Sequence, residues 1–441
     1  MSETPKRWNH ELTWYHWLVV IIASCAWLFD CMDQRIFALA RQPALAELLG
    51  DASSEMVKSW AGYATASMMI GWATGGIIFG VMSDRLGRVK TMIITLLIYS
   101  GFTGLSGISN TCWDFLAYRF LVGLGVGGMF GAATTLVAES VPARFRAIAL
   151  GSLQALSALG NIIGSLISTQ IQPSNPDFLM GMAGWRVIFF VGIIPALLVV
   201  PIALFLREPE PWKEAKRRIK EGADPSKHAG SIPDLFKDPT LRRNTLVGVS
   251  LGLSGMAGLW GIGFFSPELI STALEGESSQ VVDHVRGVGT ALQDVGSFFG
   301  IMAFTVIATC WGRKPAFFLG FLACLVSTIF VYNNLRGASD AYWMLPMMGF
   351  AQLSVFGGYS IYFPELFPTR LRGTGVGFCY NTVRYLAAGF PPMLMSLNYM
   401  LVEQGVEDSF RMAATIMSSV FVVGIITLIW APETKGMPLP E

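Results

Sequence analysis

The sequence predicts an all-α integral membrane protein, with twelve transmembrane helices in two pseudo-symmetric six-helix bundles. Only 14% of its 441 residues are charged, whereas soluble domains carry about a quarter. Twelve apolar stretches are each long enough to cross a bilayer as a helix. Motifs in the second half repeat those of the first at a nearly constant spacing, which indicates two equivalent bundles.

The apolar segments form two sets of six, separated by a charged stretch. The first set comprises 17–39, 60–82, 92–108, 113–138, 148–171 and 185–206. The second set comprises 246–273, 288–309, 316–333, 342–362, 374–400 and 412–430. We therefore divide the chain into an N-terminal bundle (1–206), a linker (207–243) and a C-terminal bundle (244–441).

The loop between the second and third segments carries a compact charged motif. The run at 80–90 reads GVMSDRLGRVK. A loop this short between two spanning helices is a tight hairpin, and its cations place that membrane face in the cytoplasm. Asp84, Arg85 and Arg88 can pair across the hairpin or with a neighbouring helix end. A weaker copy at 305–315 reads TVIATCWGRKP.

A second motif reads VAESVPARFR after the fourth segment and FPELFPTRLR after the tenth. Glu139 and Glu365 are 226 residues apart, as are Arg146 and Arg372. This repeat indicates two bundles around a pseudo-twofold axis, an arrangement that places a binding site at their interface.

Lysine and arginine are unevenly distributed between the alternating loops. Most lie in the loops that share a side with the N-terminus and the linker. Because cytoplasmic loops are enriched in these cations, we expect both termini and the linker in the cytoplasm. The polar start at 1–16 does not have the pattern of a cleavable signal peptide. We therefore expect a protein of the plasma (inner) membrane.

Several function classes are not expected. The cations lie next to the membrane and form no basic face for nucleic acid. The six cysteines lie mostly within apolar segments without metal-ligand spacing. No nucleophile–base set or Walker motif is visible, so we expect neither an enzyme nor a cofactor or metal.

The charged loop at 80–90 resembles the signature loop of the major facilitator superfamily, which joins the second and third helices of those transporters. The stretches REPEPW at 207–212 and PETKG at 432–436 resemble those of its sugar porter family. Gln154, eight residues after Arg146, matches the fifth-helix glutamine that contacts sugar in that family. The likeness covers most of the chain.

The sequence departs from the sugar porters in the seventh helix. Where they carry paired glutamines and an asparagine, this chain has Ser254, Gly255 and Trp260. The run from Asp30 to Asp33 reads DCMD and resembles the Asp-Gly-Tyr-Asp of proton-coupled aromatic-acid and sialate symporters. The resemblance therefore implies an acid rather than a neutral hexose as the substrate.

Charged side chains within membrane segments are costly and usually face a cavity or a partner. Asp33 and Arg119 match the acid–base pair of proton-coupled sugar porters, and the resemblance implies that they carry the coupling proton. A static salt bridge between two helices is the alternative. Asp30 lies one helical turn from Asp33 and either shares that proton or faces a wet cavity.

Arg384 gives the sharpest indication of the substrate. It lies near the middle of the eleventh segment, where the first half has Ala158, so the repeat does not explain it. A guanidinium in a central cavity is suited to bidentate binding of a carboxylate. Pairing with Asp294 or Glu268 is the alternative. We expect Arg35, near the outer end of its helix, to reach water.

Two sets of residues complete the predicted site. The substrate-binding set is Arg384, Gln154, Trp260, Glu268, Asp294 and Tyr380. The resemblance also implies a cytoplasmic gate that pairs when the cavity faces outward, formed by Asp84, Arg85, Arg88, Glu139, Arg146, Arg313, Glu365 and Arg372.

We therefore predict a secondary active transporter that carries a small organic anion (a sugar acid, sialate or aromatic carboxylate) with a proton by alternating access. Its expected partners are the lipid bilayer, the substrate and the proton, with the chain as a monomer. The alternatives are a neutral sugar/proton symporter, a drug or metabolite exporter by antiport, and a transporter-like receptor.

Overall fold

The computed structural model describes residues 12–50, 54–221, 229–387 and 389–440, which form helices and no β-strand. The first half consists of α1 (Trp14–Leu49), α2 (Ser54–Leu86), α3 (Arg88–Ser106), α4 (Cys112–Ser140) and α5 (Ala143–Ile171), followed by α6 (Gly184–Val191), a 3-10 helix (Ile194–Leu198) and α7 (Val199–Phe205). The linker carries α8 (Glu210–Lys220) and α9 (Asp234–Lys237).

The second half repeats this order. It consists of α10 (Pro239–Gly261), a 3-10 turn (Gly263–Phe265), α11 (Ser266–Ala273), α12 (Ser279–Cys310), α13 (Arg313–Asn334), α14 (Ala338–Leu366), α15 (Arg372–Ala387), α16 (Phe390–Glu403), α17 (Ser409–Met417) and α18 (Val420–Thr427).

Ten helical stretches in the described part of the chain are long and apolar enough to cross a membrane, by length and composition. The two remaining crossings are α14, which has 29 residues, and the successive helices α15 and α16 on either side of residue 388. The predicted all-helical fold with twelve crossings is confirmed.

Glycines let equivalent helices pack closely in both halves. A Cβ on Gly75 of α2 would overlap the carbonyl oxygen of Leu124 in α4, and a Cβ on Gly300 of α12 would overlap that of Phe350 in α14. Small residues permit such contacts between membrane helices. Gly75 and Gly300 are 225 residues apart, so each half uses the same helix contact.

One face of the molecule carries the start of α1, the linker and the C-terminal tail, and we call it the linker face. The backbone N–H of Arg207 donates to Tyr15 Oη at 3.0 Å, which joins the end of the sixth crossing to the start of α1. Lys435 Nζ donates to the carbonyl of Cys310 at 2.7 Å, which joins the tail to the end of α12. Helix α1 ends at the other side, which we call the opposite face.

Candidate functional site

A cavity of about 420 Å³ lies between the two halves. Its lining in α1 runs from Trp27 to Ala38, in the middle of that helix and in the part nearer the opposite face. The cavity lining includes Arg35 of α1, Gln154 of α5, Trp260 of α10, Asp294 of α12, and Tyr380 and Arg384 of α15. Five of the six residues predicted to bind substrate are therefore brought together.

Glu268 is the exception among the predicted substrate-binding residues. It is exposed on α11 and does not line the cavity. Ser266 and Pro267, the two residues before it, do line the cavity, and because each further residue of a helix is rotated by about 100° around the axis, Glu268 lies on a different side of α11. This placement corrects the prediction that Glu268 faces the substrate.

Arg384 is almost completely buried, with 3% of its surface exposed. Its guanidinium carbon lies 3.6 Å from the ring centroid of Trp72, in the other half, and 4.9 Å from that of Tyr380. Its Nε and Nη1 have no hydrogen-bond partner. Buried polar groups without partners are costly, so these N–H groups are available to an anion that enters the cavity.

Asp294 does not pair with Arg384. Its Oδ2 accepts a hydrogen bond from Arg35 Nη2 at 2.6 Å, which makes an ion pair between α1 and α12. The sequence predicts that Arg35 reaches water. Its side chain is partly exposed, but it also extends across the cavity and pairs with the other half.

Asp33 and Arg119 are both completely buried, but no hydrogen bond or ion pair joins their side chains. Both carboxylate oxygens of Asp33 lack a hydrogen-bond partner. Arg119 donates from Nε and Nη2 to Ser106 Oγ at 3.1 and 2.5 Å, and its guanidinium carbon lies 4.8 Å from the ring centroid of Phe189. The static salt bridge, which is the alternative to proton coupling for Asp33 and Arg119, is not formed in this conformation.

Asp30 is completely buried as well. Its Oδ2 accepts from Gln34 Nε2 at 3.4 Å, and its Oδ1 has no hydrogen-bond partner. Gln34 lines the cavity, whereas Asp30, Asp33 and Arg119 do not. Asp30 is thus one side chain removed from the cavity.

On the linker face, buried charges join the two halves. Arg88 donates from Nε and Nη2 to the two oxygens of Glu139, at 3.0 Å each. Arg372 of the second half donates to the same carboxylate at 2.5 Å. All three side chains are completely buried. Because Glu139 accepts hydrogen bonds from both halves, this cluster holds the linker face closed.

Asp84 makes a second contact between the halves. Its carboxylate accepts from the backbone N–H groups of Gly373 at 3.0 Å and Thr374 at 2.8 Å, and from the Thr374 hydroxyl at 2.7 Å. Arg88 Nη1 lies 3.0 Å from the same carboxylate. An acid at a helix start satisfies the free N–H groups there. Asp84 of the first half therefore caps α15 of the second half, which is the contact with a neighbouring helix end that the sequence analysis left open for it.

The other predicted gate residues make contacts within one half or with the linker. Arg313 donates to both oxygens of Glu365 at 3.0 and 2.6 Å, which is the equivalent bidentate pair of the second half. Arg146 donates to a backbone carbonyl of α4 at 2.8 Å. Arg85 is exposed and donates to two linker carbonyls at 3.2 and 3.3 Å, so it lies outside the buried cluster.

The two halves meet backbone to backbone beside these charges. A Cβ on Gly80 of α2 would lie 2.8 Å from the carbonyl oxygen of Gly373 in α15, and a Cβ on Gly373 would lie 2.9 Å from that of Gly80. Neither position has room for a side chain. The linker face is therefore closed beneath the cavity.

Two glutamates cap the helices that follow the charged loops. Glu208 accepts from three backbone N–H groups at the start of α3, at 2.7, 3.1 and 3.2 Å. Glu433 accepts from two at the start of α13, at 2.9 and 3.0 Å. Each cap lies beside a glycine with positive φ, Gly87 at 122° and Gly312 at 120°. The 225-residue offset of the two glutamates is the signal that could have identified them.

Glu433 lies in the C-terminal tail, beyond the last crossing. Burial raises the pKa of its carboxyl, but the backbone N–H donors outweigh this effect and hold the pKa below its usual value. The cap is therefore a charged one.

A sequence model of the Major Facilitator Superfamily matches residues 23–392. The chain belongs to this superfamily. A superfamily member with this fold is a membrane transporter and not an enzyme.

Two relatives have names that state an organic acid as the transported compound. The cis,cis-muconate transport protein of Acinetobacter baylyi is 27% identical over 381 residues, which cover 86% of each chain. The sialic acid transporter NanX of Escherichia coli is 30% identical over 312 residues, which cover 70% of each chain.

Among solved structures, the proton:xylose symporter XylE bound to 6-bromo-6-deoxy-D-glucose superposes on the chain with a TM-score of 0.76. The superposition covers 96% of this chain and 98% of XylE, at 19% sequence identity. At this identity the similarity shows the superfamily fold alone.

Proposed function

We propose that this transporter carries a small organic anion, such as a sugar acid, a sialate or an aromatic carboxylate, together with a proton by alternating access. The observation that supports an anion is Arg384, a buried cation in the cavity between the halves whose Nε and Nη1 have no hydrogen-bond partner. A guanidinium binds a carboxylate through two parallel N–H groups. The muconate and sialic acid named for two relatives are acids of this class.

Equilibrium binding to the purified protein tests this proposal. We expect cis,cis-muconate to bind more tightly than its dimethyl ester, because only the acid offers a carboxylate. Arg384→Gln should erase most of that preference, since one charged hydrogen bond is worth about 1.5–3 kcal/mol, or about ten- to hundredfold in affinity. Arg384→Lys should restore it only partly, because lysine keeps the charge but loses the planar fork.

A neutral sugar is the second candidate substrate. Gln154 lines the cavity, and its Oε1 has no hydrogen-bond partner, so it can accept a bond from a sugar hydroxyl. D-Xylose is therefore included in the binding assay. Binding of D-xylose as tight as that of any acid, with no effect of Arg384→Gln on either ligand, would favour the sugar and refute the anion.

For proton coupling we propose Asp33 as the carrier, with Arg119 as its partner and Asp30 as the nearest further carboxyl group. In the conformation closed at the linker face, both oxygens of Asp33 are without a partner and Arg119 is held by Ser106. If Asp33 and Arg119 pair in another conformation, the proton affinity of the carboxyl group changes during the cycle. Such a change couples proton movement to transport.

We further propose that the linker face is cytoplasmic, in the plasma (inner) membrane, and that the transporter is a monomer. The cluster of Asp84, Arg88, Glu139 and Arg372 is then the closed cytoplasmic gate. A thiol at Ser279, the first residue of α12, should react with an impermeant reagent on intact cells. A thiol at Ser226, a linker position outside the described residues, should not react, and the reverse pattern would overturn the orientation.

A further inference from the structure

The ion pair between Arg35 and Asp294 differs from the linker-face pairs in its surroundings. The side chains of Arg35 and Asp294 are 29% and 23% exposed, and both line the cavity. Those of Arg88 and Glu139 are completely buried. A ligand in the cavity can therefore reach both partners of the first pair.

This pair also uses little of the binding capacity of Arg35. One hydrogen bond, from Nη2 to Asp294 Oδ2, joins the two side chains, whereas Arg88 holds Glu139 through two. A guanidinium binds a carboxylate best through two parallel N–H groups. A free carboxylate can therefore bind Arg35 with better geometry than Asp294 does.

The charged side chains among the described residues that line the cavity are Arg35, Arg384 and Asp294. The two arginines come from different halves. Two cations, Arg35 and Arg384, therefore border the same cavity, and Asp294 pairs with Arg35.

We propose that the substrate is a dicarboxylate, with one carboxylate on Arg384 and the other on Arg35 in the place that Asp294 occupies here. This inference rests on the proposed function, because it specifies which kind of organic anion is carried. Asp294 then competes with one substrate carboxylate for Arg35. It pairs with Arg35 while the cavity is empty, because a half-buried cation without a counter-charge is costly, and it gives way to the substrate.

Calorimetry with cis,cis-muconate and its monomethyl ester tests the assignment on the full-length protein. Arg35→Gln should weaken binding of the diacid about ten- to hundredfold, to the level of the monoester, and leave the monoester unchanged within error. Asp294→Asn should have the opposite effect and tighten binding of the diacid, because Arg35 no longer has a competing carboxylate. Glu403→Gln is the matched control, since it removes one exposed acid near the opposite face, away from the cavity, and should change neither affinity.

Three results would overturn the dicarboxylate assignment. In the first, the wild-type protein binds the diacid and the monoester with equal affinity. In the second, Arg35→Gln weakens the binding of both ligands equally. In the third, Asp294→Asn binds the diacid more weakly than the wild-type protein does. The Arg384→Gln variant separates this inference from the proposed function. If Arg384→Gln erases the preference for acids while Arg35→Gln and Asp294→Asn do not distinguish diacid from monoester, only the dicarboxylate assignment fails. If Arg384→Gln leaves the preference intact, the proposed function fails with it.

Discussion

Replacement of Asp84 by asparagine should shift the equilibrium between conformations closed and open at the linker face. The carboxylate accepts three hydrogen bonds from the second half and lies 3.0 Å from Arg88 Nη1. Asparagine keeps only one acceptor oxygen and no charge, so at least one bond across the interface is lost. That loss costs about 1.5–3 kcal/mol, which corresponds to a shift of about ten- to hundredfold toward the open conformation.

Pulsed EPR distances between spin labels measure this equilibrium. Suitable positions are Lys90 in the first half and Trp311 in the second, which are both exposed on the linker face. In a cysteine-free background, we expect the wild-type residue to give mainly the short distance and Asp84→Asn to add a population at longer distance. Uptake should fall, while the amount of protein in the membrane stays the same.

Asp234→Asn is the matched control for this experiment. Asp234 pairs with Arg370 at 3.0 Å and Lys237 at 3.1 Å, and neither partner belongs to the first half. The same chemical change on the same face therefore leaves the contact between the halves intact. If Asp84→Asn gives the same distance distribution as Asp234→Asn, the cap does not hold the linker face closed and the reasoning is refuted.

Three further predictions concern the coupling, the cavity and the tail. Asp33→Asn should abolish substrate accumulation driven by a pH gradient in proteoliposomes but keep substrate exchange, and continued accumulation would place the proton site elsewhere. Trp72→Leu removes the ring that stacks on Arg384 and should weaken acid binding by about 0.5–2 kcal/mol in calorimetry, whereas an unchanged affinity would show that the stacking is dispensable. Because the pKa of Glu433 is lowered in the folded protein, its contribution to stability is complete above the unfolded value of about 4.3 and is lost as the pH falls below it. Glu433→Gln should therefore remove part of the acid dependence of the melting temperature, and parallel curves for the variant and the wild type would contradict this.

The fold could be predicted because its causes are local. Long apolar runs specify membrane crossings, and the shared offset of Glu139 and Glu365 shows that the halves are equivalent. The family resemblance implied which residues belong to the linker-face cluster but not which of them pair, and Arg85, from the same motif, lies outside the cluster.

Side-chain direction and contacts between the halves could not be predicted in the same way. Glu268 is exposed although its neighbours Ser266 and Pro267 line the cavity, and the apolar pattern does not show which side of α11 borders that cavity. The cap that Asp84 provides for α15 and the pairing of Arg35 with Asp294 both depend on how the halves dock. Docking is decided by the summed packing of many side chains and not by any one motif.

The close approach of Gly80 to Gly373 fixes the distance between α2 and α15 where the linker face is closed, because the two backbones are in direct contact. Because no side chain lies between them, no rotamer change can adjust how deeply the halves close. A series of alanine, valine and leucine at Gly80 would therefore act as spacers of increasing size and wedge this side open by steps, with every charge of the cluster still present. Such a graded set would separate the steric part of closure from its electrostatic part. Its widest member would also be a trapped form against which conformation-specific binders could be raised.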